Sequence, residues 1–164
     1  MSLNRRAVRV RLRNRRALRG QIHITEGQSL VNFLSVKTHF LNLTDVQWED
    51  ASEEIPLPHL SVRVDQIVWV EPLDAALHLS SATLPSDEPR SIEIQVDDRT
   101  RLHVKMNVAR ETRMTDYLDA NPGFLPLYSV RMVGTGDLVE RVALNHGAIE
   151  VICELEATDP RQRR

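Results

Sequence analysis

Apolar and polar residues alternate from Val8: Val8, Val10 and Leu12 fall on one side, Arg9, Arg11 and Arg13 on the other. A period of two is that of a strand with one buried face. Asn14 to Arg16 form a polar turn, and Leu18, Ile22 and Ile24 resume the alternation with Arg19, Gln21 and His23 opposite, which predicts a hairpin. Ser29 then offers an N-cap, and Leu30, Phe33 and Leu34 have helical spacing, predicting one or two helical turns over Leu30 to Val36. Alternation returns over Phe40 to Trp48 and over Leu60 to Val64. A kink near Asp65 and Gln66 leads into the apolar run Ile67 to Val70, and Pro72 closes the unit.

The same skeleton occurs twice. Leu30, Phe33, Leu34, Phe40, Leu41, Leu43 and Val46 match Met114, Tyr117, Leu118, Phe124, Leu125, Leu127 and Val130 at a constant offset of eighty-four. That offset also pairs Val8, Val10, Leu12 and Leu18 with Ile92, Ile94, Val96 and Leu102. Past the third strand it falls to eighty-two, matching Leu60, Val62, Ile67 and Val70 to Val142, Leu144, Ile149 and Ile152, because the acidic, Pro-containing stretch Glu49 to His59 is replaced by the shorter Gly134 to Asp137. A fixed offset of this kind reads as an internal duplication.

The expected fold is therefore mainly β: two five-stranded small-barrel or half-barrel units, each with a short helix between strands 2 and 3, packed with pseudo-two-fold symmetry. The first unit spans 5–73, a linker 74–91, the second unit 92–156 and a disordered tail 157–164. Within the linker, Ala75 to Leu79 are apolar enough to pack. Short bent strands bury little apart, so the two units are expected to share an interface.

Composition adds an asymmetry that the net charge of -2 conceals. Residues 1–20 hold eight Arg and no acid, and the last four residues hold three Arg, leaving ten basic against twenty-three acidic residues between them. A basic edge on an acidic body suits self-association or a protein partner, and confines any nucleic-acid contact to that edge. No run approaches the ~18 apolar residues of a membrane helix, so a soluble, cytoplasmic protein without membrane partners is expected. Cys153, the one cysteine, lies in an apolar run and reads as a small buried hydrophobe.

Candidate chemistry is sparse. The six His show no HxH or HxxxH spacing, no Ser lies in a nucleophile elbow, and Gly134-Thr135-Gly136 is too short for a phosphate loop. No catalytic residue, metal, cofactor or small-molecule substrate is inferred. The candidate interaction surface comprises Arg9, Arg11, Arg13, Arg15, Arg16 and Arg19 of the first hairpin with Trp48, Glu53 and Glu54 beside it. On one strand face the first three arginines lie about 6.5–7 Å apart, a spacing that could track phosphates. The equivalent face of the second unit carries Glu93, Gln95 and Asp97, so the basic character is not common to both. Trp69, between Val68 and Val70, reads as core or as a contact between units.

The stretch VRVRLRNRRALRGQI, with Gly20 in its second strand, resembles the opening of Sm-like and related SH3-like small barrels, and LVERVALNHGAIEVICEL resembles their closing strand-turn-strand. The resemblance implies a small-barrel framework. Sm-like RNA sites use an Asp and an Asn after the second strand and an Arg-Gly in the last turn. The turns here are Val64-Asp65-Gln66 and Asn145-His146-Gly147, so no RNA-binding residues carry over. The RMTDYL run followed by FLPL is also similar to uncharacterised bacterial β-domains of unknown function. The resulting expectation is a non-enzymatic interaction, regulatory or assembly module, the alternative being a nucleic-acid binder using the Arg-rich hairpin. The duplication predicts equivalent buried sites for Phe40 and Phe124, each costing about 3–5 kcal/mol of stability on substitution by Ala, measurable by denaturant unfolding.

Overall fold

A computed structural model describes residues 2–50, 55–81, 89–109 and 111–155. The expected tail 157–164 and the centre of the expected linker, 82–88, lie outside them. The elements follow in order: β1 (Leu3–Leu12), β2 (Ala17–Thr25), α1 (Leu30–Ser35), β3 (Phe40–Trp48), β4 (Leu57–Arg63), β5 (Ile67–Pro72), β6 (Arg90–Gln95), β7 (Arg101–Met106), α2 (Met114–Ala120), β8 (Phe124–Met132), β9 (Leu138–Asn145) and β10 (Val151–Glu154). Short 3₁₀ turns at Val64–Gln66 and His146–Ala148 separate β4 from β5 and β9 from β10. Local chemistry accounts for several boundaries. Ser29 caps α1 by accepting from the Asn32 amide at 3.2 Å, and positive φ at Arg15 lets the β1–β2 turn close.

The mainly β expectation holds, but the strands form one open antiparallel sheet rather than two closed barrels. Its order is β10-β6-β7-β8-β9-β5-β1-β2-β3-β4. Within it the order β5-β1-β2-β3-β4 recurs as β10-β6-β7-β8-β9. The register recurs too. Pairs Arg6↔Ile22 to Arg11↔Ala17 reappear eighty-four residues later as Arg90↔Met106 to Gln95↔Arg101. Leu41↔Val62 reappears as Leu125↔Leu144, Val10↔Val70 as Ile94↔Ile152, and the positive φ of Asp45 as that of Ser129.

The expected pseudo-two-fold packing is corrected. The halves meet where β5 pairs with β9, through Trp69↔Leu144 and Val70↔Ala143. A dyad exchanging the halves would map this pair onto β10 and β4, yet those strands are the opposite ends of the sheet. The contact is heterologous, joining unlike edges.

β5 is apolar on both faces for this reason. Ile67 and Val70 enter a first core with Val8, Val10, Ile22, Leu34, Leu41 and Leu43. Val68 and Trp69 enter a second core with Ile92, Ile94, Leu102, Leu125 and Leu144. The first core also takes Phe124 and Ala143 from the second half, along with Leu77 and Leu79, whose neighbouring carbonyls bind α1: the Leu30 amide donates to His78 O and the Val31 amide to Leu79 O. The start of the expected linker therefore packs. Asn145 locks the junction by donating from Nδ2 to Val64 O at 3.1 Å and Ile67 O at 2.9 Å.

Two expectations of burial fail at the sheet's ends. Phe40 is 46% exposed while Phe124 is 6% exposed. Phe124 begins β8 beside α1, its amide donating to Ser35 Oγ at 3.1 Å. Phe40 begins β3 at the same register but next to the terminal strand β4 of the sheet, with the Arg63 guanidinium 5.1 Å from the centre of its ring. Cys153 is exposed for the same reason, because β10 is an edge strand whose counterpart β5 is sandwiched. Phe124→Ala should cost about 3–5 kcal/mol, whereas Phe40→Ala in the isolated chain should cost under about 1 kcal/mol. Urea unfolding of the two variants at low protein concentration measures the difference.

Candidate interaction surface

The outer face of the β1–β2 hairpin gathers the arginines, as the alternation predicts. Its ladder sets Arg9 directly opposite Arg19. Like charges facing across a ladder repel, and Glu49 resolves the conflict. It follows β3, which runs beside β2 through Leu18↔Trp48. Glu49 accepts from Arg9 Nε at 2.6 Å and Nη2 at 2.9 Å, and from Arg19 Nε at 3.2 Å. Glu71 of β5 adds a contact to Arg9 at 3.4 Å. The hydrogen bond from Arg9, above all, holds the Glu49 carboxyl below its ordinary value, with Arg19 helping and desolvation opposing. The same contact raises the pKa of Arg9.

The remaining arginines also have partners. Arg16 lies over the Trp48 ring at 3.7 Å and forms a fork to Asp50, at 2.9 and 3.2 Å. Arg11 lies over Trp69 at 5.3 Å. Arg13 donates to Asp65 O at 2.6 Å and, across the junction of the halves, to Gly147 O at 2.7 Å. Arg15 pairs with Asp98 and approaches Asp97 at 3.9 Å, tying the β1–β2 turn to the β6–β7 turn. In the second half the ladder position of Arg9 and Arg19 holds Glu93 and His103, in contact at 2.7 Å.

The structure thus brings Arg9, Arg11 and Arg19 onto one face of the hairpin, with Arg13 and Arg15 at its turn end, whereas Trp48, paired with Leu18, lies on the core side with Arg16 over its ring; Glu53 and Glu54 lie outside the described residues. Their positive charge is matched by Glu49, Glu71, Asp50, Asp97 and Asp98. Sequence reasoning missed Glu49 and Asp50 as these partners. The available signal was their position directly after Trp48, at the end of a strand bound to pair with the Arg-bearing hairpin.

It also missed the two sheet edges. β4 exposes Leu57 at 39%, at the end of the strand away from Phe40, and β10 exposes Val151 at 53% along with Cys153. An unpaired edge presents a row of backbone donors and acceptors to any strand that can reach it. Among the described residues no group of three or more His, Cys, Asp or Glu is placed to hold a metal ion, and no helix is long and apolar enough to cross a membrane. Comparison with protein-family models, with curated proteins and with solved structures finds no match.

Because the folded pKa of Glu49 is depressed, its contribution is complete above the unfolded carboxylate value of about 4.3 and fades as pH falls through the lower folded value. Glu49→Gln should therefore lower stability by about 1 kcal/mol at neutral pH and by less in acid. Unfolding midpoints of the two proteins across the acid range, converging as pH falls, check this.

Proposed function

We propose that the chain is a non-enzymatic interaction or assembly module, built from a duplicated five-stranded β unit of small-barrel or half-barrel kind. Its binding surfaces are the edges β4 and β10. The observation that carries this reading is the exposure of Leu57 on β4 and Val151 on β10, strands with no partner on their outer side among the described residues, with exposed Phe40 on the neighbouring β3. Strand addition at such an edge draws affinity from main-chain hydrogen bonds and selectivity from side chains flanking the ladder. The recurrence of strand order and register through both halves supports the duplication.

The alternative is nucleic-acid binding through the Arg-rich hairpin. Its support is the row Arg9, Arg11 and Arg13, but phosphate would have to displace carboxylates that already bind Arg9, Arg15, Arg16 and Arg19. That competition favours the edges as the binding surfaces.

Two measurements separate the readings. Purification of the chain from its source cells should recover proteins that are lost on combining Leu57→Lys with Val151→Lys and retained on Arg11→Ala. In the second measurement, single-stranded RNA and DNA should fail to bind at low salt. Tight binding whose log affinity falls by about 0.7 per phosphate contact with log salt would replace the edge reading with the hairpin reading.

A further inference from the structure

We propose that the partner of each edge is a second copy of this chain: β10 of one molecule pairs with β4 of the next, joining chains head to tail. This deepens the reading of the chain as an assembly module and rests on it.

The template is the junction inside the molecule. Strand order β10-β6-β7-β8-β9 is followed without interruption by β5-β1-β2-β3-β4. The first strand of one series, β5, pairs with the last of the other, β9. What remains unpaired is again a first strand and a last strand, β10 and β4. A junction between unlike edges leaves the same unlike edges free, so it can be repeated, closing a ring or growing a filament according to its rotation. The offset of eighty-two converts Trp69↔Leu144 and Val70↔Ala143 into Val151↔Val62 and Ile152↔Ser61. One step further along that antiparallel register places Cys153 opposite Leu60.

The surroundings of the internal junction have counterparts at the free ends. Phe124 completes the first core against α1, and its counterpart Phe40 stands exposed, ready to cover α2 of a neighbour. Ser35 Oγ accepts from the Phe124 amide, and the residue at that position of α2 is Asp119, a stronger acceptor for the Phe40 amide. Asn145 donates to two carbonyls across the junction, and its counterpart is Arg63, a donor of greater reach, aimed at the carbonyls of His146 and Ile149. Charge is complementary as well. β4 ends in Arg63, with Asp65 two residues on, and β10 is preceded by Glu150 and ends in Glu154. Several internal contacts are not reproduced: Arg13 bonds Gly147 O but its counterpart is Asp97, Arg15 pairs with Asp98 but their counterparts are Arg99 and Asn14, and Arg141 bonds Leu77 O and Asp74 O but its counterpart is His59. The joint between molecules is therefore weaker than the joint within one, and association depends on concentration.

Two readouts on the full chain test the proposal. Sedimentation velocity from low micromolar to sub-millimolar protein should show species larger than the monomer growing with concentration, and Val151→Lys, at an exposed position, should abolish them. Mild oxidation of Leu60→Cys should give a ladder of intermolecular disulfides through Cys153. Adding Cys153→Ser should remove the ladder, and the parent chain should give none. A monomer at every concentration with no disulfide ladder overturns the proposal. Cross-linking of the parent chain through Cys153 alone, or of Leu60→Cys with Cys153→Ser, as efficient as that of Leu60→Cys with Cys153 intact, also overturns it, since the ladder then reports random collision or pairing of like edges. If the chain stays monomeric while host proteins still depend on Leu57 and Val151, self-pairing falls and the interaction module stands. If those host proteins are independent of both residues as well, both readings fall.

Discussion

β5 is the constraint on which the molecule depends. It pairs with β1 along most of its length and with β9 through Trp69 and Val70, and its side chains enter two different cores. The run Ile67-Val68-Trp69-Val70 is buried throughout, as a strand with two covered faces requires. That demand is strong enough to leave Trp69 Nε1 without a hydrogen-bond partner among the described residues, at a cost of about 1–3 kcal/mol. Burial of the indole between Arg11 and the second core offsets it. Asn145 then satisfies carbonyls at the turn into β5 and at its first residue. Without this strand each half would expose one wall of its core.

The charge pattern follows from the same geometry. The alternation of Val with Arg puts Arg9 and Arg11 on one face, and pairing with β2 brings Arg19 opposite Arg9. Left alone, the face would repel itself. The end of β3 delivers Glu49 between the two, and the β6–β7 turn delivers Asp97 and Asp98 to Arg15. What reads in one dimension as a basic edge is, in three, a set of bonds across strands and across the halves. Basic charge therefore serves the fold here before it can serve a ligand.

Much of this was legible in the residues. Alternation located the strands, Ser29 marked α1, the offsets of eighty-four and eighty-two matched the ladder registers, and Trp69 was read as core or as a contact between units, and it is both. The errors have one cause. Phe40 and Phe124, or Cys153 and the Glu71 it matches, occupy the same register, and a pattern of residues carries no mark of which copy lies at the end of the sheet. Exposure there is decided by what stands beside the strand, which is a property of strand order. The expected dyad failed for that reason: two similar units can meet through like edges or unlike ones, and only the pairing of β5 with β9 distinguishes them.

Unlike edges at the two ends give the chain a direction, and the proposal is that these edges pair. Amide hydrogen exchange at Leu57–Arg63 and Val151–Glu154, followed as protein concentration rises, tests it most directly. If they pair, outward-facing amides of both strands, rapidly exchanging in dilute solution, gain protection together as concentration increases, while β5 remains protected throughout. Exchange at both edges that is unchanged by concentration, or protection confined to one of them, would contradict it.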